Sequence, residues 1–245
     1  MDGAPFTTEL PAARLAALVI HLLHVRKTGG TALWHALEAH ARTEACTIVH
    51  HPHGTLLRHV PPGDKVIFFL REPITRFVSG FYCRQRQGLP RYNSPWKPGE
   101  RVAFARFQTP NELARALSSV DRVQRELAWA AMGNIEHLCS TLTWLEGEAY
   151  LRSRLPDVFY IGFQETLSDD FERLKRKLDL PAHLRLSDDA AAAHRNSSHL
   201  DYHLDDVAVA NLRAWYEADQ HVFDFCREQA AEVNGRSAPV QGAKR

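Results

Sequence analysis

The chain has 245 residues, of which 44% are hydrophobic and 24% charged, and its formal net charge is +1 at pH 7. This length and composition are typical of a soluble globular domain with one full hydrophobic core. The balanced charge argues against a nucleic-acid binder, because no excess of Lys and Arg is present to displace counterions from a phosphate backbone. Any anionic ligand must therefore be held by a local cluster of charges.

The cysteines and the N-terminal segment indicate the compartment. Four widely spaced cysteines form no Cys-x-x-Cys pair: Cys46, Cys83, Cys139 and Cys226. They are predicted to be thiols in a reducing compartment rather than zinc ligands or disulfides. The apolar run Leu15 to Val25 is interrupted by His21 and His24 and has no basic leader, so we predict neither a signal peptide nor a membrane anchor. A cytoplasmic protein is expected.

The first strand and helix are joined by an unusual turn. Leu15 to Val25 is rich in Leu and β-branched residues, which predicts a buried strand. Apolar residues then recur at helical spacing from Ala32 to Ala41. Between them lies the sequence RKTGGT, from Arg26 to Thr31. The pattern predicts a strand, a glycine turn and a helix.

The remaining chain alternates strands and helices. Strands are predicted at Cys46 to Val49, Lys65 to Leu70 and Val158 to Gly162. Helices are predicted from Pro73 through Tyr82, at Asn111 to Ala116, at Asp121 to Leu127, over most of Asn134 to Leu155 with a break near Gly147, from Leu167 to Leu178, and as one final helix from Leu204 to Ala231. Gly88 to Gly99 is predicted to be an exposed loop, and His183 to Leu200 a polar connection. This alternation predicts a parallel sheet covered on both faces.

The glycine turn has a recognisable chemical use. Amides at a helix start lack intrahelical partners and lie at the positive end of the helix dipole, and glycines let the backbone approach an anion such as phosphate. The nucleotide-binding pattern G-x-x-x-x-G-K-[ST] places Lys after the glycines and follows it with a magnesium ligand. Here Lys27 precedes Gly29 and Gly30. An ordinary tight turn with two solvated cations is the alternative.

A second candidate site follows the strand ending at Leu70. Arg71 lies at the carboxyl end of that strand, where open α/β sheets bind ligands. Ser79 is about two helical turns further along. Both side chains can reach one anion, although a helix-surface serine often has no such role.

Together these segments resemble a known family. HVRKTGGTAL and FFLREPITRFVSGFY are similar to the two cofactor motifs of sulfotransferases that use 3′-phosphoadenosine 5′-phosphosulfate (PAPS), particularly the branch of carbohydrate enzymes that contains the heparan sulfate 2-O type. The resemblance continues in YIGFQETLSDDFERL and in HRNSSH, spans roughly Leu22 to Phe225, and is weakest from Gly88 to Leu155. It implies a single-domain α/β protein with a P-loop-like three-layer α/β/α fold and a mainly parallel sheet. The expected domain covers residues 15–233, with an N-terminal extension at 1–14, a variable, mostly helical acceptor-side segment at 88–155 and a disordered tail at 234–245.

The resemblance also implies roles for particular residues. Lys27 would contact the sulfuryl group, and the loop from Arg26 through Thr28, Gly29, Gly30 and Thr31 would hold the 5′-phosphate. Arg71 and Ser79 would hold the 3′-phosphate, and Arg195, Asn196 or Ser198 would close over the cofactor. PAPS is the expected donor, 3′,5′-ADP the expected product, and no metal is required.

An acceptor hydroxyl needs a general base. The run VHHPHG offers His50, His51 and His53 directly after a short strand, and imidazole suits proton transfer near neutral pH. His50 matches the family's H-x-P-x-G pattern and is the first candidate, with His53 in reserve. A surface or hydrogen-bonding role is the alternative for each histidine.

The acceptor itself is the least defined element. Several residues after the second motif could hold a sugar or an anionic acceptor, or could be solvated: Arg84, Arg86, Arg91, Trp96 and Lys97. We expect a small-molecule or glycan acceptor and no nucleic-acid partner. The competing functions are a kinase-like nucleotide-binding protein, which would need a magnesium carboxylate and the GK[ST] order, and a catalytically silent binding module.

Overall fold

The computed structural model describes residues 18–44, 46–187 and 199–236. Its four described strands are β1 (Leu18–Leu23), β2 (Cys46–His50), β3 (Lys65–Leu70) and β4 (Val158–Phe163). They form one parallel sheet in the order β2-β1-β3-β4. The chain therefore leaves β1 toward β2 on one side and returns to the other side as β3. In open parallel sheets, ligands bind outside the carboxyl ends of the strands at such a reversal, here between β1 and β3.

Helices cover both faces of the sheet. The described helices are α1 (Gly30–Leu37), α2 (Pro73–Gln85), α3 (Pro98–Arg106), α4 (Pro110–Ala116), α5 (Arg122–Asn134), α6 (Leu142–Leu145), α7 (Glu148–Arg154), α8 (Leu167–Lys177), α9 (Asp206–Trp215) and α10 (Glu217–Gly235). In the described residues, no helix is both long enough and apolar enough to cross a membrane.

Alternation along β3 shows how the layers form. Val66, Phe68 and Leu70 pack with residues of α6, α7 and α10, whereas Ile67 and Phe69 pack with residues of α1 and α8. Successive side chains of a strand point to opposite faces, so a fully apolar strand fills two cores at once. The predicted three-layer α/β/α fold with a parallel sheet is confirmed. A third cluster joins α2 to α3, α4, α5 and α9 beside the sheet.

Several predicted element boundaries are wrong. The predicted loop Gly88 to Gly99 ends early, because α3 begins at Pro98, and α5 runs on to Asn134. The stretch from Asn134 to Leu155 is less helical than predicted. It contains a short 3-10 turn at Glu136–Leu138 and the two short helices α6 and α7.

The predicted final helix is two helices. The chain turns at Tyr216, whose hydroxyl donates to the carbonyl of Leu138 at 2.7 Å. The buried carboxylate of Asp219 accepts from the Thr141 amide and hydroxyl, at 2.5 and 2.6 Å. These long-range hydrogen bonds fix the turn between the two helices. The spacing of apolar residues along the chain does not indicate such bonds, so the sequence predicts one continuous helix.

The predicted tail starts at Asn234, but Asn234 and Gly235 belong to α10; residues 237–245 lie outside the described residues. The side-chain amide of Asn234 accepts from the Ile161 amide at 2.9 Å and donates to the Ile161 carbonyl at 2.8 Å. Asn234 thus satisfies backbone groups on the edge of β4 that no described strand pairs, and such groups would otherwise be open to pairing with another chain.

Candidate active site

The turn after β1 forms the start of α1. Gly29 has φ +87°, a conformation that favours glycine, and α1 begins at Gly30. The buried hydroxyl of Thr28 donates to the Val25 carbonyl at 2.9 Å and ties the turn to the strand end. A Cβ atom on Gly30 would lie 2.4 Å from Cδ2 of His24, so only glycine fits there. The helix start is left accessible to an anion.

Lys27 occupies a strained position in this turn. Its φ is +66°, in the left-handed region that non-glycine residues rarely adopt. Burial lowers the pKa of the ammonium group, and Arg86 and Arg71 lower it further, while a hydrogen bond with the Cys83 thiol opposes the shift. The lysine thus lies among cations and is poorly solvated. A neighbouring anion would relieve both penalties.

The second motif starts α2. The carboxylate of Glu72 accepts from the amides of Ile74 and Thr75, at 3.0 and 2.8 Å, and so caps the helix. The Glu72 amide in turn donates to Glu165 at 2.8 Å, which ties this junction to the one after β4. Arg71 Nε donates to Thr75 Oγ1 at 3.2 Å. Arg71 is thereby held at the strand end, half-buried.

One pocket of about 290 Å³ joins the two motifs. Its lining comprises His24, Arg26, Lys27, Gly29, Gly30, Thr31, Ala32, His53, Arg71, Ser79, Tyr92, His137, Gln164, Leu167, Leu186 and Tyr202. Most of the predicted cofactor-binding residues are in this set, although they come from two strand ends about 40 positions apart. Thr28 does not line the pocket, and its hydroxyl instead fixes the turn. Arg195, Asn196 and Ser198 lie outside the described residues.

The three clustered histidines have different environments. His53 lines the pocket, and its Nδ1 lies 2.8 Å from the carbonyl of His24. His50 is not among the lining residues; its Nε2 lies 3.1 Å from Nδ1 of His24, and its ring stacks on Trp34. His51 pairs instead with His21, at 2.8 Å between Nε2 and Nδ1.

The environment of His53 fixes its tautomer. A carbonyl oxygen only accepts, so Nδ1 of His53 must carry the proton and Nε2 must hold a lone pair. Burial lowers the pKa of His53, although the bond to the His24 carbonyl opposes that shift. At neutral pH the ring is therefore uncharged and able to accept a proton.

Sequence reasoning missed several pocket residues. His137 reaches the pocket from the 3-10 turn after α5, with 7% of its surface exposed, and its Nδ1 has no partner among the described residues. Burial lowers the pKa of His137, and Lys27 and Arg26 lower it further. Nothing in the local sequence marks His137. His24, by contrast, is the first residue of the motif HVRKTGGTAL and directly follows β1, so the sequence could have indicated it.

Two of the candidate acceptor residues are structural. Arg84 is buried and forms a bidentate pair with Glu100, with both N–O distances 2.6 Å. Trp96 donates to the Arg84 carbonyl at 2.7 Å and packs on Phe104, so it is not an open stacking platform. Lys97 pairs with Glu136 at 3.2 Å. The sequence indicates an acceptor contact or a solvated side chain for each, but Arg84 pairs with Glu100 of α3 and Trp96 packs on Phe104 of the same helix.

Two further findings concern what the pocket can bind. Among the described residues that line it, none is Asp or Glu. Nor do the described parts of the chain contain a group of three or more His, Cys, Asp and Glu residues arranged to hold a metal ion.

The comparisons with known proteins agree with this geometry. The family model described as "Sulfotransferase family" matches residues 18–226, which include both motifs and the four described strands. The chain therefore belongs to the sulfotransferase family. A search of curated proteins found no match.

Proposed function

We propose that the protein transfers a sulfuryl group from PAPS to an acceptor hydroxyl. The observation that carries this proposal is the single pocket in which Lys27 and the start of α1 face Arg71 and Ser79. A donor with a 5′-phosphosulfate and a 3′-phosphate has two anionic ends, and the pocket offers a cationic group for each. The carbohydrate branch of the family, suggested by the motifs, remains part of the proposal.

The lining chemistry favours PAPS over a magnesium nucleotide. Gly29 and Gly30 let the loop pack closely against its neighbours, because added Cβ atoms would lie 2.8 Å from Leu167 and 2.4 Å from His24, and both glycines line the pocket. The described lining residues supply positive charge and no carboxylate for a magnesium ion. This observation makes the kinase-like alternative the weaker candidate.

Each residue of the chain has one task in this proposal. When bound, PAPS supplies a sulfuryl group that is already activated for transfer. Lys27 stabilises the charge that develops as the bond between sulfur and the 5′-phosphate oxygen breaks. His53 accepts the acceptor's hydroxyl proton at Nε2 while a new bond forms between the acceptor oxygen and sulfur. We therefore favour His53 over His50 as the base.

The acceptor side of the pocket supports a hydroxyl compound. His137, Tyr92 and Tyr202 provide imidazole and phenol groups, which bind hydroxyls and stack on sugar or aromatic rings. We propose a glycan or small-molecule acceptor.

Calorimetry with nucleotides tests the donor. The wild-type protein should bind 3′,5′-ADP more tightly than ATP with magnesium. Arg71→Ala should weaken 3′,5′-ADP roughly ten- to a hundredfold, the effect of one charge-assisted hydrogen bond, and leave 5′-AMP unchanged. Arg101→Ala, an exposed cation on α3, is the matched control and should change neither. Tighter binding of magnesium ATP would contradict the proposal.

A further inference from the structure

His24 is placed against the start of α1. Its ring lies over Gly30, where an added Cβ would come within 2.4 Å of Cδ2 and 2.7 Å of Nε2. The Nε2 edge of His24 is therefore at the first turn of the helix, among the groups that line the pocket. This is the place where helix amides bind an anion.

The opposite nitrogen of His24 is already occupied. Its Nδ1 lies 3.1 Å from Nε2 of His50, whose ring is stacked on Trp34 with centroids 4.5 Å apart. The ring of His53 packs on the remaining side, with its centroid 4.0 Å from that of His24. These contacts hold the ring in one orientation, so only Nε2 is left to meet a ligand.

The charge state of His24 follows from its surroundings. Burial, together with the neighbouring His53, His50, Arg26 and Lys27, lowers its pKa to about 2. At neutral pH the ring has one N–H and one lone pair. The contact between Nδ1 of His24 and Nε2 of His50 holds one proton, which either ring can donate to the other. If His50 donates it, Nε2 of His24 carries its own proton; otherwise Nε2 presents a lone pair, which would repel an anion.

We propose that neutral His24 donates a hydrogen bond from Nε2 to the 5′-phosphate oxygens of the sulfuryl donor, and that His50 is the positioning residue that fixes this tautomer. The inference rests on the proposed function and adds a residue to its donor site. It also gives His50 a role that requires no contact with the acceptor. The His24 ring can take this position only because residue 30 is glycine, since an added Cβ would displace the ring.

Two amide substitutions separate the nitrogens of His24. Glutamine places its amide where Nε2 lies, whereas asparagine reaches only the Nδ1 position. His24→Asn should weaken 3′,5′-ADP about ten- to a hundredfold in calorimetry, and His24→Gln only a few-fold. Binding of 3′-AMP, which has no 5′-phosphate, should be unchanged in both variants. Equal affinities of His24→Asn and wild type for 3′,5′-ADP, or equal losses for 3′,5′-ADP and 3′-AMP, would overturn the inference.

The positioning role of His50 has its own readouts. His50→Ala should weaken 3′,5′-ADP in the wild-type background but not in the His24→Asn background, and His50→Gln should restore binding by supplying an amide donor. Long-range ¹⁵N–¹H spectra of the wild type should show His24 with its proton on Nε2. A proton on Nδ1, or additive losses in the double variant, would overturn this role. Failure of the wild type to bind 3′,5′-ADP at all would instead remove the proposed function itself.

Discussion

At the scale of single residues, Lys27 combines strain with poor solvation. A left-handed conformation costs a non-glycine residue on the order of 1–3 kcal/mol, and such strain persists only where the surroundings enforce it. Here the Thr28 bond to the Val25 carbonyl and the left-handed Gly29 fix the turn. The backbone that carries Lys27 is therefore fixed before any ligand arrives, as the proposed charge stabilisation during transfer requires.

The histidines after β2 show that neighbouring residues of one type can differ completely. His51 turns to His21, His50 to His24 and Trp34, and His53 to the pocket. Each environment depends on which residue of β1 or α1 lies opposite.

The base assignment predicts a difference between two variants. His53→Ala should lower kcat by roughly 10²–10⁴, because a general base contributes about that factor. His50→Ala should act mainly on donor affinity. The measurement is release of 3′,5′-ADP from PAPS with the best acceptor found in a panel of sugars and phenols. A phenol that is already ionised should lose less rate in His53→Ala than a sugar, because its oxygen needs no base.

The pH profile checks the same assignment. Because burial lowers the pKa of His53, the acid limb of kcat/KM should have its midpoint below about 6.5, the ordinary value for imidazole. His53→Ala should lose that limb. If His50→Ala loses the limb while His53→Ala keeps both limb and rate, His50 is the base.

At the scale of elements, α2 positions three parts of the site. Thr75 in its first turn accepts from Arg71 Nε at 3.2 Å, and Ser79, one turn further along, lines the pocket. The buried Arg76 donates to the Cys139 carbonyl at 2.5 Å and so anchors the segment that carries His137. At its last turn, Arg84 fixes α3 through Glu100. One helix therefore links the Arg71 end of the pocket to the segment that carries His137.

The pair of Arg84 and Glu100 predicts a large effect on stability. Glu100→Ala should lower the free energy of unfolding by about 3–5 kcal/mol, because it leaves a buried guanidinium without its partner. Urea denaturation measures the loss. Glu126→Ala, which removes an exposed pair with Arg122, is the matched control and should cost only about 0.3–0.5 kcal/mol. Similar losses in the two variants would show that the buried pair contributes no more than a surface pair.

At the scale of the whole molecule, the sheet order concentrates histidines in one place. The carboxyl ends of β1 and β2 bring His24, His50, His51 and His53 together, and the turn after α5 adds His137. Burial lowers the pKa of every one of them. The folded protein therefore resists protonation of these rings at pH values where the unfolded chain binds protons.

This predicts acid-sensitive folding. For a group with a lowered native pKa, stability is complete above the unfolded value of about 6.5 and falls as pH drops below it. Each strongly shifted histidine should contribute a slope approaching about 1.4 kcal/mol per pH unit. Urea denaturation at pH 7.5 and pH 5.5 should show the loss, and His137→Gln should reduce it. Equal stability at the two pH values would contradict the shifted pKa values.

Short-range patterns in the sequence determined the layers of the fold and the two motifs that line the pocket. Strand runs such as KVIFFL fill both cores, and the glycine turn and Arg71 follow strand ends that a parallel sheet brings to one edge. These features depend on neighbours a few residues away, which is why they could be predicted.

Only the tertiary structure decided which side chains complete the pocket. His137, the two-part C-terminal helix and the inward turn of Arg84 and Trp96 depend on partners 12 to 79 positions away. The choice between His50 and His53 depends on the placement of His24 and Trp34. Such contacts are set by packing between distant segments, and no local periodicity encodes them.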